Sequence, residues 1–467
     1  MIPVHALHDI TCDQRITGPE FDTKVAQRAA AIAPYLSAER RCVFIAHGGS
    51  IAFFIDLFAT WAAGACAVCL NTGLTQVELQ RLIDVVGPAV ILGSQAHTRV
   101  TVPILGPHDN STQTQAKMMD WGLDDPALIL FTSGTTGTPK GVSLSRRAIL
   151  ARLALNTAHI GVDTLAKTMN VLPTHFGHGL IGNCLTPLSA GGTLYLNPSA
   201  GVATAAGIGA ALDAHGITFL SSVPGFWKLA LRVSAPPTSG QLKRISVGSA
   251  PLSPELWRAI QDWSGADVWN MYGLTETANW VGGTNTPATG ALGQLWGGQA
   301  AVQSTSGAIS NTGTGELVLR VPSLMTGYHN QPDLSRDALS GGWYHTGDMG
   351  RIDADGLHLL GRKRYMVNID GMKIYPEEID ALFERHPDIV EACAFAQSDP
   401  VSGERLALAI ASPKPLDPSA VIDWARDKLR REALPHQVFV IADIPKTDRG
   451  KVNRDLVRDH VQKGHTL

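Results

Sequence analysis

Short apolar runs alternate with amphipathic stretches over the first third of the chain. VAQRAAAIAPYL (25–36) spaces its apolar residues as a helix does, and RCVFIAH (41–47) is strand-like. IAFFIDLFATWAAG (51–64) predicts a helix and ACAVCLN (65–71) a strand. VELQRLIDVVG (77–87) predicts a helix ahead of PAVILG (88–93), and ALILFTSG (127–134) precedes helix-like RRAILARLAL (146–155). Strands of four to six residues that are apolar on both faces belong in mostly parallel sheets covered by helices. The large part of the chain therefore reads as α/β with several packed layers.

The pattern changes near Arg364. From there to the end, 15 Lys/Arg and 17 Asp/Glu fall in 104 residues, whereas the preceding 363 residues hold the other 47 charges. That is about 31% against 13%, the signature of a small charged module appended to a larger apolar one, and it places the boundary at 1–363 and 364–467. In the small part, Pro376 opens a helix, YPEEIDALFERH, with Glu377 and Glu378 in its first turn. IVEACAFAQ and ERLALAIAS read as strands and VIDWARDKLRREA (421–433) as a helix, giving an α+β module.

Composition narrows the function classes. A net charge of −3 over 467 residues gives no electrostatic argument for nucleic acid or an anionic membrane. No apolar run reaches the ~18–20 residues of a membrane span. MIPVHALHDITCDQR lacks the pattern of a signal peptide. The six cysteines suggest reduced thiols in a cytoplasm rather than a disulfide framework. Cys66 and Cys69 form a C-x-x-C, but in an apolar run with no second pair and no nearby His they read as small buried residues.

One loop carries chemistry. FTSGTTGTPKG (131–141) follows a buried strand-like run. Gly134 and Gly137 let the backbone turn and approach a ligand closely. Thr132, Ser133, Thr135 and Thr136 add hydroxyls, and Lys140 adds charge; with free backbone N–H groups these make an anion nest. The string is not G-x-x-x-x-G-K-[ST], since Lys140 lies between Pro139 and Gly141.

The loop resembles the [ST]-S-G-T-T-G-x-P-K-G signature of the adenylate-forming enzymes: acyl- and aryl-CoA synthetases, luciferase and peptide-synthetase adenylation domains. Further motifs of that family follow in order: MYGLTETA (271–278), YHTGDMGRIDADG (344–356), GRKRYMVNIDGMKIYPEEI (361–379) and PKTDRGKVNR (445–454). The resemblance covers nearly the whole chain. It implies a large ATP- and acyl-binding domain and a small mobile C-terminal domain. It also implies a reaction in which ATP and a carboxylic acid give acyl-AMP and pyrophosphate.

The resemblance assigns roles residue by residue. The 132–140 loop grips the β- and γ-phosphates. Glu276 is the Mg²⁺ ligand, a carboxylate being suited to a cation shared with phosphates, and Thr275 bonds the α-phosphate. Tyr272 offers a flat face to adenine, with Asn270, Met271, Gly273, Gly248, Ser249 and Ala250 beside it. Asp348 and Arg362 take the ribose. Lys451 bridges the attacking carboxylate and the α-phosphate. Asp353 and Gly356 read as turn residues.

The acyl pocket implied by LPTHFGHGLIG (172–182) includes His175, Phe176, His178 and Gly179. The Asp by which amino-acid-activating relatives hold an ammonium group is missing there, so an aryl or short-to-medium aliphatic acid is expected. His175 and His178 read equally as substrate contacts and as structural residues. The pivot, usually Asp or Lys, is Arg364, followed by Tyr365 where a second Asp is common; Gly371 lines the implied thiol tunnel. The acceptor is CoA or the pantetheine of a carrier protein, an amine being a further alternative. A nucleotide-binding protein without turnover is the third reading; Glu276 and Lys451 together argue against it. The expected partners are small molecules or an acyl carrier protein, with neither nucleic acid nor membrane, and the chain is expected to be a monomer or homodimer.

Overall fold

A computed structural model describes residues 2–93, 100–107, 109, 121–132, 139–197, 201–288, 290–369, 372–399, 403–447 and 451–463. The chain forms two compact units. One is built from Met1–Thr286, Gln294–Gln299 and Arg320–Tyr344, the other from Pro287–Gly293, Ala300–Leu319 and His345–Leu467.

The first unit contains two sheets. In one, the order runs Gly327–Tyr328, Lys140–Ser145, Pro126–Thr132, Cys66–Cys69, Cys42–Ile45, Val90–Leu92 and Ile104–Leu105. The last five are mutually parallel, as their two-sided burial requires, and the first two add an antiparallel edge. The helices between them begin and end on local signals. Thr75 and Glu78 form a reciprocal cap at Gln76–Val86, with Thr75 N donating to Glu78 Oε2 at 2.8 Å, and Gly87 ends the helix in the left-handed region. Leu79, Leu82 and Ile83 then pack on Phe44, Val68 and Ile129 of the sheet.

Cys66 and Cys69 lie three apart in one strand and so face opposite sides of the sheet. Cys66 sits opposite Cys42 on the neighbouring strand, and that thiol contact, together with burial, pushes its own thiol up. Burial does the same for Cys69. These are inert packed thiols, as their apolar context implies.

The second sheet of this unit runs Gln14–Thr17, Ala6–Asp9, Thr193–Leu196, Lys167–Asn170, Phe219–Ser222, Arg244–Gly248, Asp267–Leu274 and Asn279–Thr284. The six strands from Ala6–Asp9 to Asp267–Leu274 are parallel. One face buries Leu220, Ile245 and Val247 under Trp227 and Trp257. The other carries Ser221, Gly248 and Met271 towards the segment His178–Leu185, whose π-type turns are fully buried.

In the second unit, Tyr344–Asp353 pairs antiparallel with Gly356–Arg362 around the Asp353–Gly356 turn. A three-stranded sheet of Glu391–Asp399, Gly403–Ala411 and Gln437–Ile441 is covered on one face by Ile379, Phe383 and Val421 and on the other by Val457 and Val461. The helix expected at 421–433 is Pro418–Ala425, capped by Asp417; a single turn, Arg431–Ala433, follows before Pro435. Among the described residues no helix is long and apolar enough to cross a membrane.

Candidate active site

The phosphate-loop string begins and ends on a β-hairpin. Phe131 pairs with Gly141 and Thr132 with Lys140, so the two ends of the loop are direct cross-strand neighbours. Ser133, Gly134, Thr135, Thr136 and Gly137 lie outside the described residues. Gly141, which closes the string, is tightly packed: a Cβ there would sit 3.1 Å from Ile129 Cγ2 and 3.2 Å from Phe131, so those side chains would have to give. Its carbonyl accepts from His329 N at 2.7 Å.

Glu276 occupies a 3-10 turn, Thr275–Thr277, at the end of the Asp267–Leu274 strand. The turn is closed by Thr277 Oγ1, which accepts from Leu274 N at 3.1 Å. Gly273 is needed where the strand shifts register after Tyr272, since a Cβ would approach Asn279 O to 2.3 Å. Asn270, Met271 and Tyr272 are buried in this strand. The Glu276 carbonyl accepts from Met325 N at 2.7 Å, and its Oε1 accepts from the Tyr328 hydroxyl at 3.0 Å. Lys140 Nζ lies 5.9 Å from the centroid of the same tyrosine ring. Burial first, and Glu276 second, push the Tyr328 hydroxyl well above its ordinary range, so it stays a donor. Tyr328 belongs to none of the motifs and went unnoticed in the sequence. Tyr328 and its neighbours Ser143, His329, Ser335 and Arg336 line an open pocket of about 480 Å³.

His178 is held at both ring nitrogens. Nε2 lies 2.7 Å from Ser221 Oγ and Nδ1 lies 2.8 Å from Ser249 Oγ. Ser221 Oγ donates to Ser246 O at 3.2 Å, so at Nε2 the ring is the donor and Ser221 the acceptor. Ser249 itself adopts φ +69°, a left-handed conformation unusual for a residue other than glycine, and its hydroxyl bond to His178 accompanies that strain. Both ring nitrogens of His178 thus lie against serine hydroxyls. Phe176 is buried against Val247, Leu252 and Trp227, and makes edge contacts with His175 and His178. Gly179 packs on backbone, its Cβ position lying 2.0 Å from Pro173 O. Gly248 faces Met271 O and His178, and Ala250 follows Ser249 at the strand end.

In the second unit, Asp348 is almost wholly buried and accepts from Arg362 Nε at 2.8 Å across the hairpin. The next residues repeat the arrangement: Gly347 N donates to Glu316 Oε1 and Lys363 Nζ to Glu316 Oε2, at 3.1 and 2.7 Å. Lys363 lies inside the 361–379 string, whereas Glu316 lies in none of the motifs. Arg364 lies over the Tyr365 ring at 4.2 Å and faces Asp455 at 3.5 Å, and the Tyr365 hydroxyl reaches Asp455 Oδ2 at 3.3 Å. Asp455 is thus the acid partner shared by Arg364 and Tyr365. Gly371 lies outside the described residues.

Lys451 is exposed; Thr447 N donates to Lys451 O at 2.8 Å, and Lys446 and Val452 pair in an antiparallel bridge. The last helix, Arg454–Gln462, starts three residues later, capped by Asn453.

Among the described residues no group of three or more His, Cys, Asp or Glu side chains converges as a metal site. Glu276 alone, next to a phosphate-loop lysine, fits a divalent ion held mainly by a nucleotide's phosphates and by one carboxylate.

Residues 4–329 match the family model of the AMP-binding enzymes and residues 378–451 that of the AMP-binding enzyme C-terminal domain. The chain is 32% identical over 352 residues to an oxalate–CoA ligase of Arabidopsis thaliana, covering 72% of this chain and 68% of that one. It is 29% identical over 446 residues to a probable CoA ligase, CCL9, of Humulus lupulus, covering 88% and 85%. The fold matches that of ATP-bound MatB from Rhodopseudomonas palustris with a TM-score of 0.89 at 24% identity, covering 100% of this chain and 98% of that one.

Proposed function

The chain belongs to the AMP-binding enzymes, and from that footing we propose that it is an acid–thiol ligase that activates a carboxylic acid with ATP and passes the acyl group to CoA. The observation that carries the proposal is that Glu276 accepts from the hydroxyl of Tyr328 while Lys140 lies off the ring of the same tyrosine. A cation at the stem of the phosphate loop and a carboxylate at the end of the neighbouring sheet suit a triphosphate and its counter-ion.

In the first step a carboxylate oxygen attacks the α-phosphorus of ATP, the bond to the bridging oxygen breaks, and pyrophosphate leaves. Lys140 and the 132–140 loop hold the β- and γ-phosphates, and Thr275 the α-phosphate. Mg²⁺, when bound, supplies charge neutralisation on the departing pyrophosphate, and Glu276 is the residue that would hold it. Asp348 accepts from the ribose hydroxyls with Arg362 beside it, and Lys451 stabilises the crowded charge at the α-phosphate. In the second step the CoA sulfur attacks the acyl carbonyl and AMP departs. Residues 364–467 turn about Arg364 between the steps, which withdraws Lys451 and brings Gly371 to the thiol path.

The acid is aryl or short-to-medium aliphatic. Engagement of both His178 nitrogens by serines leaves the ring as a wall rather than a donor, which supports an apolar acyl group. Mass spectrometry of reactions containing ATP, Mg²⁺ and a panel of acids, with CoA or with a phosphopantetheinylated carrier protein, tests the proposal. Acyl-CoA and AMP are expected. An acyl carrier protein product with no acyl-CoA would move the acceptor to the carrier protein, and no pyrophosphate release with any acid would overturn the reading.

A further inference from the structure

Nothing in the motifs explains why Glu276 should present its carboxylate in one orientation. The turn that carries it is short, and a glutamate there has three side-chain torsions to settle. Segment 325–328 supplies what the turn lacks. Met325 N fixes the Glu276 carbonyl, and the Tyr328 hydroxyl occupies Oε1. Tyr328 is in turn fixed from four directions. Its strand pairs with Val142 and Ser143, its N–H donates to Ser335 Oγ at 2.8 Å, Tyr344 hydrogen-bonds its hydroxyl, and Lys140 lies off its ring.

We infer that Tyr328 is a positioning residue that sets the Glu276 carboxylate for a divalent cation, leaving Oε2 as the oxygen that meets the metal. Mg²⁺ and Mn²⁺ demand defined ligand directions, and a donor fixing a metal-binding carboxylate typically changes affinity ten- to a hundredfold. Because the backbone of Tyr328 also pairs with the strand that begins at Lys140, one residue links the carboxylate to the strand that carries the lysine. The inference rests on the reading of Glu276 as the metal-facing carboxylate.

The test is Mn²⁺ binding to the full chain by electron paramagnetic resonance, with α,β-methylene-ATP present so that no turnover occurs. Tyr328→Phe retains the ring and strand pairing and removes only the hydroxyl. Its Mn²⁺ dissociation constant is expected to rise about tenfold, with the metal-free affinity for the analogue and the circular dichroism spectrum unchanged. Glu276→Gln is expected to weaken Mn²⁺ further, and adding Tyr328→Phe to it should change nothing more. If Glu276→Gln leaves Mn²⁺ binding intact, the reading of Glu276 itself fails. If Glu276→Gln weakens binding while Tyr328→Phe does not, only the positioning role fails. A full second loss in the double variant would likewise overturn it, since the hydroxyl would then act by another route.

Discussion

Arg454 Nη2 donates to Asp380 Oδ2 at 2.6 Å, and through that bond the first turn of the last helix is tied to helix Pro376–Phe383. Nη1 of the same guanidinium donates to Ala394 O at 2.7 Å, so one side chain joins the helix to the central sheet as well. Arg454 is nearly buried, three residues from Lys451. Arg454→Lys keeps the charge but cannot span both acceptors with a fork. We expect pyrophosphate exchange to fall about tenfold, while thioester formation from supplied acyl-AMP changes less than twofold. Equal loss of both would show that the contact only stabilises the fold.

Removing the guanidinium altogether has a stability cost. Taking one member from a buried pair costs about 3–5 kcal/mol. The lower end applies to Arg454→Ala, because Asp380, already pushed up by burial, protonates still more readily once its partner is gone. Urea unfolding followed by the emission of Trp424, which lies in the same unit, should register that loss.

The Asp380 carboxyl also makes this unit pH-sensitive. Burial pushes it up to about 7, with Arg454 pulling the other way. In an unfolded chain an aspartate titrates near 4. Between about pH 4 and 7 the folded chain holds a proton that the unfolded chain releases, so the unfolding free energy declines as pH rises through that window. Asp380→Asn should flatten this slope; melting curves at pH 5, 6 and 7 for the two proteins give the comparison.

Lys451→Ala should separate the half-reactions. Acyl-AMP formation is expected to fall by at least a hundredfold, the range in which one transition-state charge contact is lost. Conversion of supplied acyl-AMP to thioester should continue. Rapid-quench chromatography measures both, and a parallel loss of the second step would contradict a lysine that withdraws between them.

At Ser249 two effects compete. Ser249→Ala gives up the hydrogen bond to His178 and keeps the left-handed backbone, and should cost about 1–2 kcal/mol. Ser249→Gly gives up the same bond but relieves the backbone, so it should fall within about 0.5 kcal/mol of the parent. Chemical denaturation of the two variants decides, and equal costs would mean that the strain is negligible.

Much of the first unit could be read from its sequence because its strands are apolar on both faces and its helices carry caps, as at Thr75 and Ser145. Strands such as Asn279–Thr284, NWVGGT, escaped because two glycines and no alternation leave no period to detect. The hairpin of Ala6–Asp9 and Gln14–Thr17 is only four residues on each side. Lys140, Glu276, Asp348 and Lys451 each sit in a contiguous string, which is why the sequence alone singles them out as candidates. Tyr328 is not singled out, because its contact with Glu276 spans 52 residues and depends on an edge strand of two residues. Arg454 lay inside a recognised string, yet only its burial distinguishes it from a solvated charge.

The direct pairing of Thr132 with Lys140 makes the phosphate loop a graftable part. Its stem is locked into a sheet whose neighbouring strand, Cys66–Cys69, is buried on both faces, so the attachment points do not move when the contents change. Equal-length exchange of residues 133–138 between relatives should leave the stem as it is. A single residue inserted or lost within Lys140–Ser145 is a different event. It would slide the strand by one position, send Val142 and Leu144 to the opposite face and turn Lys140 away from Tyr328. Length in this stretch is therefore held more tightly by the register than composition is.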